Sequence, residues 1–105
     1  MEILIKITEK YPPDEAEIIT RAFELAQNAH RGQTRHSGED YITLPVKVAQ
    51  ILADLNLDQE TIAAALLHEV IQETPMKFEE LEKSFGPTVA FLVQAVTKLH
   101  RVSYS

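Results

Sequence analysis

The segment 61–73, TIAAALLHEVIQE, constrains the fold of this 105-residue chain more than any other stretch. It begins as an apolar run without glycine or proline, which is typical of a helix buried on nearly all sides. Asp58 is a favourable N-cap residue before the run, and Thr74-Pro75 ends it, because proline disfavours helical geometry in the residue before it. We therefore predict a buried central helix at about 59–72.

Helical periodicity describes most of the remaining chain. Residues 1–10 fit a short strand or a helical turn equally well, and 31–41 form a polar loop. Pro45 and Pro87 suit the first turn of a helix, and Gly86 suits the end of one. The predicted helices span 14–30, 45–55, 59–72, 78–85 and 87–99. The last five residues, 101–105, have no strong preference. The sequence thus predicts an all-α fold, a compact bundle of about five helices in a single domain over 1–105.

Apolar residues are spaced along the faces of these helices. In the second predicted helix one such face carries five of them: Leu44, Val48, Ile51, Leu52 and Leu55. In the last two helices Leu81 and Phe85, and then Val89, Leu92, Val93 and Val96, form the inner stripe. We expect these stripes to pack against the central helix.

The charge distribution excludes several classes of function. The net charge is −6, and the ten lysines and arginines are scattered, so the chain lacks the concentrated basic face that DNA or RNA binding needs. Cysteine is absent, which excludes disulfides and thiolate metal sites. No apolar run reaches the roughly 20 residues of a membrane span, and the first residues do not form a signal peptide. We expect a soluble cytoplasmic protein.

Two groups of polar residues could carry chemistry. His68 and Glu69 lie where the central apolar run ends, and Gln72 and Glu73 follow one turn later. Imidazole and carboxylate groups are common metal ligands. The same residues fit a core histidine bonded to a carbonyl, a solvated carboxylate and an exposed helical turn.

The second group is the loop 31–41. Its Arg31, Arg35, His36 and Tyr41 could bind an anionic ligand that carries a ring, since guanidinium groups pair with phosphates and stack on bases. Taken alone, these residues favour the alternative, a solvated connection between helices. His30 and His100 each end a predicted helix, where a histidine favours the negative end of the helix dipole.

Taken together, these stretches resemble the N-terminal hydrolase domain of the RelA/SpoT family, a branch of the HD phosphohydrolases. The matching segments are AHRGQTRHSGE at 29–39, YITLP at 41–45, AAALLHEV at 63–70, and FG at 85–86 with VTKL at 96–99. The resemblance covers nearly the whole chain in collinear order. It implies the helical HD fold and removal of the 3′-pyrophosphate from guanosine tetra- and pentaphosphate with a bound manganese ion.

The chain departs from the family pattern at the metal. Leu44 replaces the first ligand, a histidine, and Glu69 replaces the aspartate that follows the matching His68. The family's fourth ligand belongs to a segment beyond the 105 residues of this sequence. Its acidic pair reads Gln72-Glu73 here, with one acid replaced by an amide. The resemblance therefore implies that His68 and Glu69 are a vestigial metal pair and that no cofactor is bound, or manganese if the site is active.

The nucleotide side of the pattern is better preserved. Arg35 matches the family's base-stacking arginine, whereas His36 takes the place of a usual lysine. The leading hypothesis is a catalytically degenerate hydrolase-like domain that retains guanine-nucleotide binding or a regulatory role. One alternative is an active phosphohydrolase with a site rebuilt from His30, His36 or His100. The other is a helical interaction module that forms a homo-oligomer or docks on a partner through exposed apolar surface.

Overall fold

Six helices account for the regular structure within the residues that are described. The computed structural model describes the backbone of residues 2–104 and the side-chain surroundings of residues 2–97. The helices are α1 Glu2–Thr8, α2 Pro13–Ala29, α3 Thr43–Asp54, α4 Gln59–Leu67, α5 Val70–Glu73 and α6 Phe78–Tyr104. In this part of the chain β pairing is limited to an isolated bridge between Thr34 and Asp40. The all-α prediction is confirmed, and the ambiguous first residues are helical.

Helix α4 lies at the centre of the fold. All its residues from Ile62 to Leu67 are buried, and it packs against α2, α3 and α6. Asp58 caps it as predicted, because its carboxylate accepts a hydrogen bond of 2.8 Å from the Thr61 backbone N–H. Hydrogen bonding from the Thr61 side chain and, second, from the Thr61 backbone N–H lowers the pKa of Asp58 below its usual value. The capped apolar run thus supplies the core that the other helices cover.

The predicted central helix at about 59–72 is present, but it is divided in two. Helix α4 ends at Leu67 and the short α5 begins at Val70, so the chain bends at His68 and Glu69. Both residues keep right-handed helical backbone angles, φ −61° and ψ −28° at His68 and φ −93° and ψ −8° at Glu69, while the regular helical hydrogen bonds are interrupted across the pair. Helix α5 ends at Glu73, and Thr74 before Pro75 is extended, as the proline requires.

Helix α3 buries a different face from its most apolar one. Its buried residues are Pro45, Val46, Ala49 and Ala53, whereas Ile51 is 60% exposed and Leu55 is 65% exposed. Alanines are among the buried residues of both helices that meet here, Ala49 and Ala53 on α3 and 63–65 on α4. The expectation that the whole predicted stripe faces the core is therefore wrong for these two large side chains.

Helix α6 contains a sharp change of direction at Gly86. This residue has φ +89° and ψ 170°, and Pro87 follows it, so the predicted helix end and restart are both confirmed. Leu81, Val89 and Val93 are buried on either side of the bend. The backbone stays helical to Tyr104, past the predicted end at Leu99, so His100 does not end a helix, and its side chain lies outside the described part of the chain. Among residues 2–104, no helix combines the length and apolarity that a membrane crossing needs.

Candidate functional site

The bend between α4 and α5 places His68 and Glu69 at the edge of the core. Each side chain retains only 12% of its accessible surface. His68 Nδ1 lies 2.8 Å from the Ala65 carbonyl oxygen, and His68 Nε2 lies 3.4 Å from Glu69 Oε1. Because a carbonyl oxygen can only accept, the Nδ1 atom carries a proton in this arrangement. The pair is thus brought together as predicted, and both members are embedded in a hydrogen-bonded setting.

Tyr41 connects this pair to the polar loop. Its hydroxyl donates a hydrogen bond to Glu69 Oε2, across 28 positions of sequence. Its carbonyl accepts from the Leu44 N–H at 3.1 Å, so the tyrosine stands immediately before the first turn of α3. On its other side, the ring centroid of Tyr41 lies 4.7 Å from that of His30, with the ring planes 35° apart. Tyr41 therefore contacts both Glu69, which is next to His68, and His30 at the end of α2.

His30 is a buried member of this group rather than only a helix end. It occupies the C-cap position of α2, as expected, but its side chain is 3% exposed. Its Nδ1 lies 3.0 Å from Gln33 Oε1, while Gln33 Nε2 donates to the Glu73 carbonyl at 3.0 Å. The Glu73 carbonyl orients the amide, so Gln33 Oε1 faces the ring and Nδ1 carries the proton. His30 Nε2 is then a buried acceptor, for which the described residues provide no donor.

Sequence reasoning missed this burial, although a signal for it existed. The buried face of α2 runs through Ile19, Ala22, Phe23 and Ala26, and His30 is the next position on that face at i+4.

The loop folds back on itself and forms an open cleft. Arg35 N–H donates to the Glu39 carbonyl at 2.8 Å, and the Arg35 guanidinium lies 3.6 Å from the Glu39 carboxylate. The cleft has a volume of about 700 Å³. Its lining residues are Thr34, Arg35, His36, Ser37, Tyr41 and Leu44. The two predicted nucleotide-binding residues therefore share one concave surface with the aromatic ring of Tyr41 and the apolar side chain of Leu44.

Gln72 and Glu73 lie on α5, and both are exposed. Neither side chain belongs to the lining of the cleft that contains Arg35 and His36. The contribution of Glu73 that the structure records is its backbone carbonyl, which anchors Gln33. The predicted acidic pair thus stands apart from the cleft lining.

Comparison with known proteins identifies the family of this chain. The HD domain family matches residues 22–105. The chain belongs to the HD-domain family. Its resemblance to the RelA/SpoT branch is also confirmed by the curated relatives.

Three of these relatives show the extent of the similarity. The bifunctional (p)ppGpp synthase/hydrolase SpoT of Escherichia coli K12 is 47% identical over 104 residues, which cover 98% of this chain and 15% of SpoT. A guanosine-3′,5′-bis(diphosphate) 3′-pyrophosphohydrolase of Aquifex aeolicus is 46% identical over 103 residues, with the same coverage. That of Haemophilus influenzae is 51% identical over 80 residues, 76% of this chain and 12% of the relative. The chain thus spans about 15% of the length of the first two relatives.

The donor atoms of this HD domain do not fit a complete metal site. Among the described residues, no three histidine, aspartate or glutamate side chains are grouped so that they could hold an ion. His68 and Glu69 supply two donors, and Leu44, which lines the cleft, has none. His30 Nδ1 is directed to Gln33, its buried Nε2 belongs to no group of three donors among the described residues, and His36 is exposed on the loop. A catalytic metal usually has about three protein ligands and one open position, which exceeds what these side chains offer.

Proposed function

We propose that this chain is a (p)ppGpp hydrolase-like HD domain that binds a guanine nucleotide in the cleft of Arg35 and His36 without hydrolysing it. The observation that carries the proposal is the composition of that cleft: Arg35, His36 and Tyr41 share it with Leu44. Nucleotide-binding groups are therefore retained next to a position where a metal ligand would be needed. The similarity to named (p)ppGpp pyrophosphohydrolases supports the choice of nucleotide.

The binding part of the proposal depends on the chemistry of the cleft. A guanidinium group pairs with phosphate oxygens or stacks on a base, and an aromatic ring adds a second stacking surface. The Arg35 side chain is 29% exposed and is already held by Glu39, so it presents its planar face in a defined place. An anion is accepted here although the whole chain carries a net charge of −6, because the local groups are basic.

The catalytic part depends on the metal. The named relatives are pyrophosphohydrolases, and the family resemblance implies hydrolysis by a metal-activated water, which requires a complete ligand set. We propose that His68 and Glu69 are the vestige of such a set and that Gln72 and Glu73 are the altered acidic pair. No cofactor is then required for the function proposed, whereas an active form would need manganese.

Isothermal titration calorimetry with guanosine tetraphosphate tests the binding. We expect wild-type protein to bind and Arg35→Ala to bind roughly 10- to 100-fold more weakly, because hydrogen bonds to charged groups contribute about 1.5–3 kcal/mol. Lys83→Ala removes the same charge from an exposed site on α6 and should bind as wild type does. Lack of binding by wild-type protein, or an equal loss in both variants, would reject the proposal.

A second function, self-association, is favoured by the exposed apolar side chains of α3 and α6. Ile51 is 60% exposed and Phe91 is 66% exposed, and an apolar groove lined by Leu52, Leu92 and Val96 lies between the two helices. Burial of this surface against a second copy of the chain would remove it from water. Sedimentation velocity should then show dimers that Phe91→Glu dissociates, and a wild-type monomer at high concentration would argue against self-association.

The cytoplasmic location of the protein stays a prediction.

A further inference from the structure

Tyr41 belongs to two parts of the HD domain at once. It is one of the residues that line the cleft with Arg35 and His36, and its hydroxyl donates to the carboxylate of Glu69 at the bend between α4 and α5. Glu69 lies outside the cleft lining, so it does not reach a ligand there directly. Glu69 can therefore act on binding in the cleft through its charge or through the tyrosine.

The carboxylate of Glu69 needs its hydrogen-bonding partners. Glu69 is 9% exposed, and a buried carboxylate destabilises the fold unless other groups donate to it. The Tyr41 hydroxyl is one such donor, and His68 Nε2 lies 3.4 Å from the other carboxylate oxygen. Rotation of Tyr41 away from Glu69 would remove a hydrogen bond from a buried charge. The free energy that this loss would cost favours the orientation in which the tyrosine hydroxyl donates to Glu69.

The opposite side of the Tyr41 ring is also fixed. His30 packs against it with a centroid separation of 4.7 Å, and His30 is itself held by Gln33, whose amide is anchored on the Glu73 carbonyl. Hydroxyl and ring are thus constrained by different elements, Glu69 at the end of α4 and His30 at the end of α2. Tyr41 is partly accessible and is one of the residues that line the cleft.

We propose that Glu69 is a positioning residue for the nucleotide cleft: it holds Tyr41 so that the aromatic ring forms the wall against which the ligand packs. The proposal rests on the nucleotide binding proposed above and gives this carboxylate a role in a protein without a complete metal site. The ligand class is a guanine nucleotide whose base packs on the ring while Arg35 engages its phosphates or base.

Titration calorimetry with guanosine tetraphosphate separates positioning from simple charge. Removal of a nearby negative charge would by itself strengthen the binding of an anion, whereas loss of positioning weakens it. We expect about tenfold weaker binding for Glu69→Ala and for Tyr41→Phe, because each removes the same charge-assisted hydrogen bond. The double variant should bind no more weakly than either single variant. Glu69→Gln, whose amide oxygen still accepts from the tyrosine, should stay within about threefold of wild type.

A nucleotide-free measurement accompanies the titrations. The imidazole ¹H–¹⁵N resonances of His30 report on the ring packed against it, so they should move in Glu69→Ala and Tyr41→Phe and stay near their wild-type positions in Glu69→Gln. The control Glu82→Ala, which removes an exposed carboxylate on α6, should change neither the resonances nor the affinity.

The outcomes distinguish the two proposals. Wild-type protein that binds the nucleotide while Glu69→Ala binds equally well overturns the positioning role alone. Additive losses in the double variant, or failure of Glu69→Gln to restore binding, overturn it as well. Wild-type protein that does not bind the nucleotide overturns the proposed function and the positioning role together.

Discussion

Replacement of Leu66 by alanine removes three carbon atoms from the most enclosed part of the fold. Leu66 is 0% exposed in the middle of α4, which α2, α3 and α6 surround. Substitutions of this kind cost about 2–5 kcal/mol, and a site enclosed by three helices has little freedom to collapse, so we expect about 3 kcal/mol. A domain of this size has a total stability of about 5–15 kcal/mol. With a shift of about 4–8 °C per kcal/mol, the melting temperature should fall by about 12–24 °C.

Urea unfolding followed by circular dichroism at low micromolar concentration measures this change. The control is Leu55→Ala, which removes the same atoms from a side chain on α3 that is 65% exposed. We expect the control to lose less than about 1 kcal/mol of unfolding free energy, because surface substitutions have small effects. Similar losses in the two variants would refute the assignment of α4 as the centre of the core and of Leu55 to the surface.

Three further predictions concern a helix cap, a glycine and the metal. Asp58→Ala should lower the free energy of unfolding by about 1 kcal/mol at pH 7. Because the folded pKa of Asp58 is lowered, this stabilisation is present above its usual pKa of 3.8 and is lost as the pH falls through the lower folded value. Urea unfolding near pH 3 should therefore show a smaller difference between variant and wild type than at pH 7, and equal differences would contradict the cap. Gly86→Ala should lower the free energy of unfolding by about 1–3 kcal/mol in the same assay, because φ +89° with ψ 170° is strained for any residue with a side chain, although no atom lies close to the added Cβ. A loss no larger than that of the exposed control Thr88→Ala would contradict this. Protein incubated with excess manganese and desalted should retain far less than one equivalent by elemental analysis, whereas a stoichiometric ion that His68→Ala removes would favour the rebuilt-site hypothesis.

The elements that sequence predicted well have local causes. The buried run of α4, its cap at Asp58 and the bend at Gly86-Pro87 each follow from the intrinsic preferences of a few adjacent residues. The burial of α3 could not be predicted in the same way. Hydrophobicity identifies Ile51 and Leu55 as apolar, but the residues of α3 that are buried are the smaller Pro45, Val46, Ala49 and Ala53.

The site divides in the same manner. Arg35, His36 and Tyr41 are near one another in sequence, so a shared cleft was a reasonable expectation, and the structure brings them together. The contact of Tyr41 with Glu69 joins residues 28 positions apart and depends on the bend after α4. The helical pattern of 59–72 in the sequence does not predict that bend. The functional roles of these residues stay predictions until binding is measured.

We expect this HD domain to bind a (p)ppGpp-type nucleotide and to leave it intact. ³¹P NMR of guanosine tetraphosphate with the protein in metal-free buffer follows binding, and a second spectrum, recorded after incubation with manganese and removal of this paramagnetic ion on a chelating resin, follows turnover. The phosphate resonances should broaden or shift in the first spectrum, and free pyrophosphate should be absent from the second. Release of pyrophosphate that depends on the protein, and that Glu69→Ala abolishes, would contradict it.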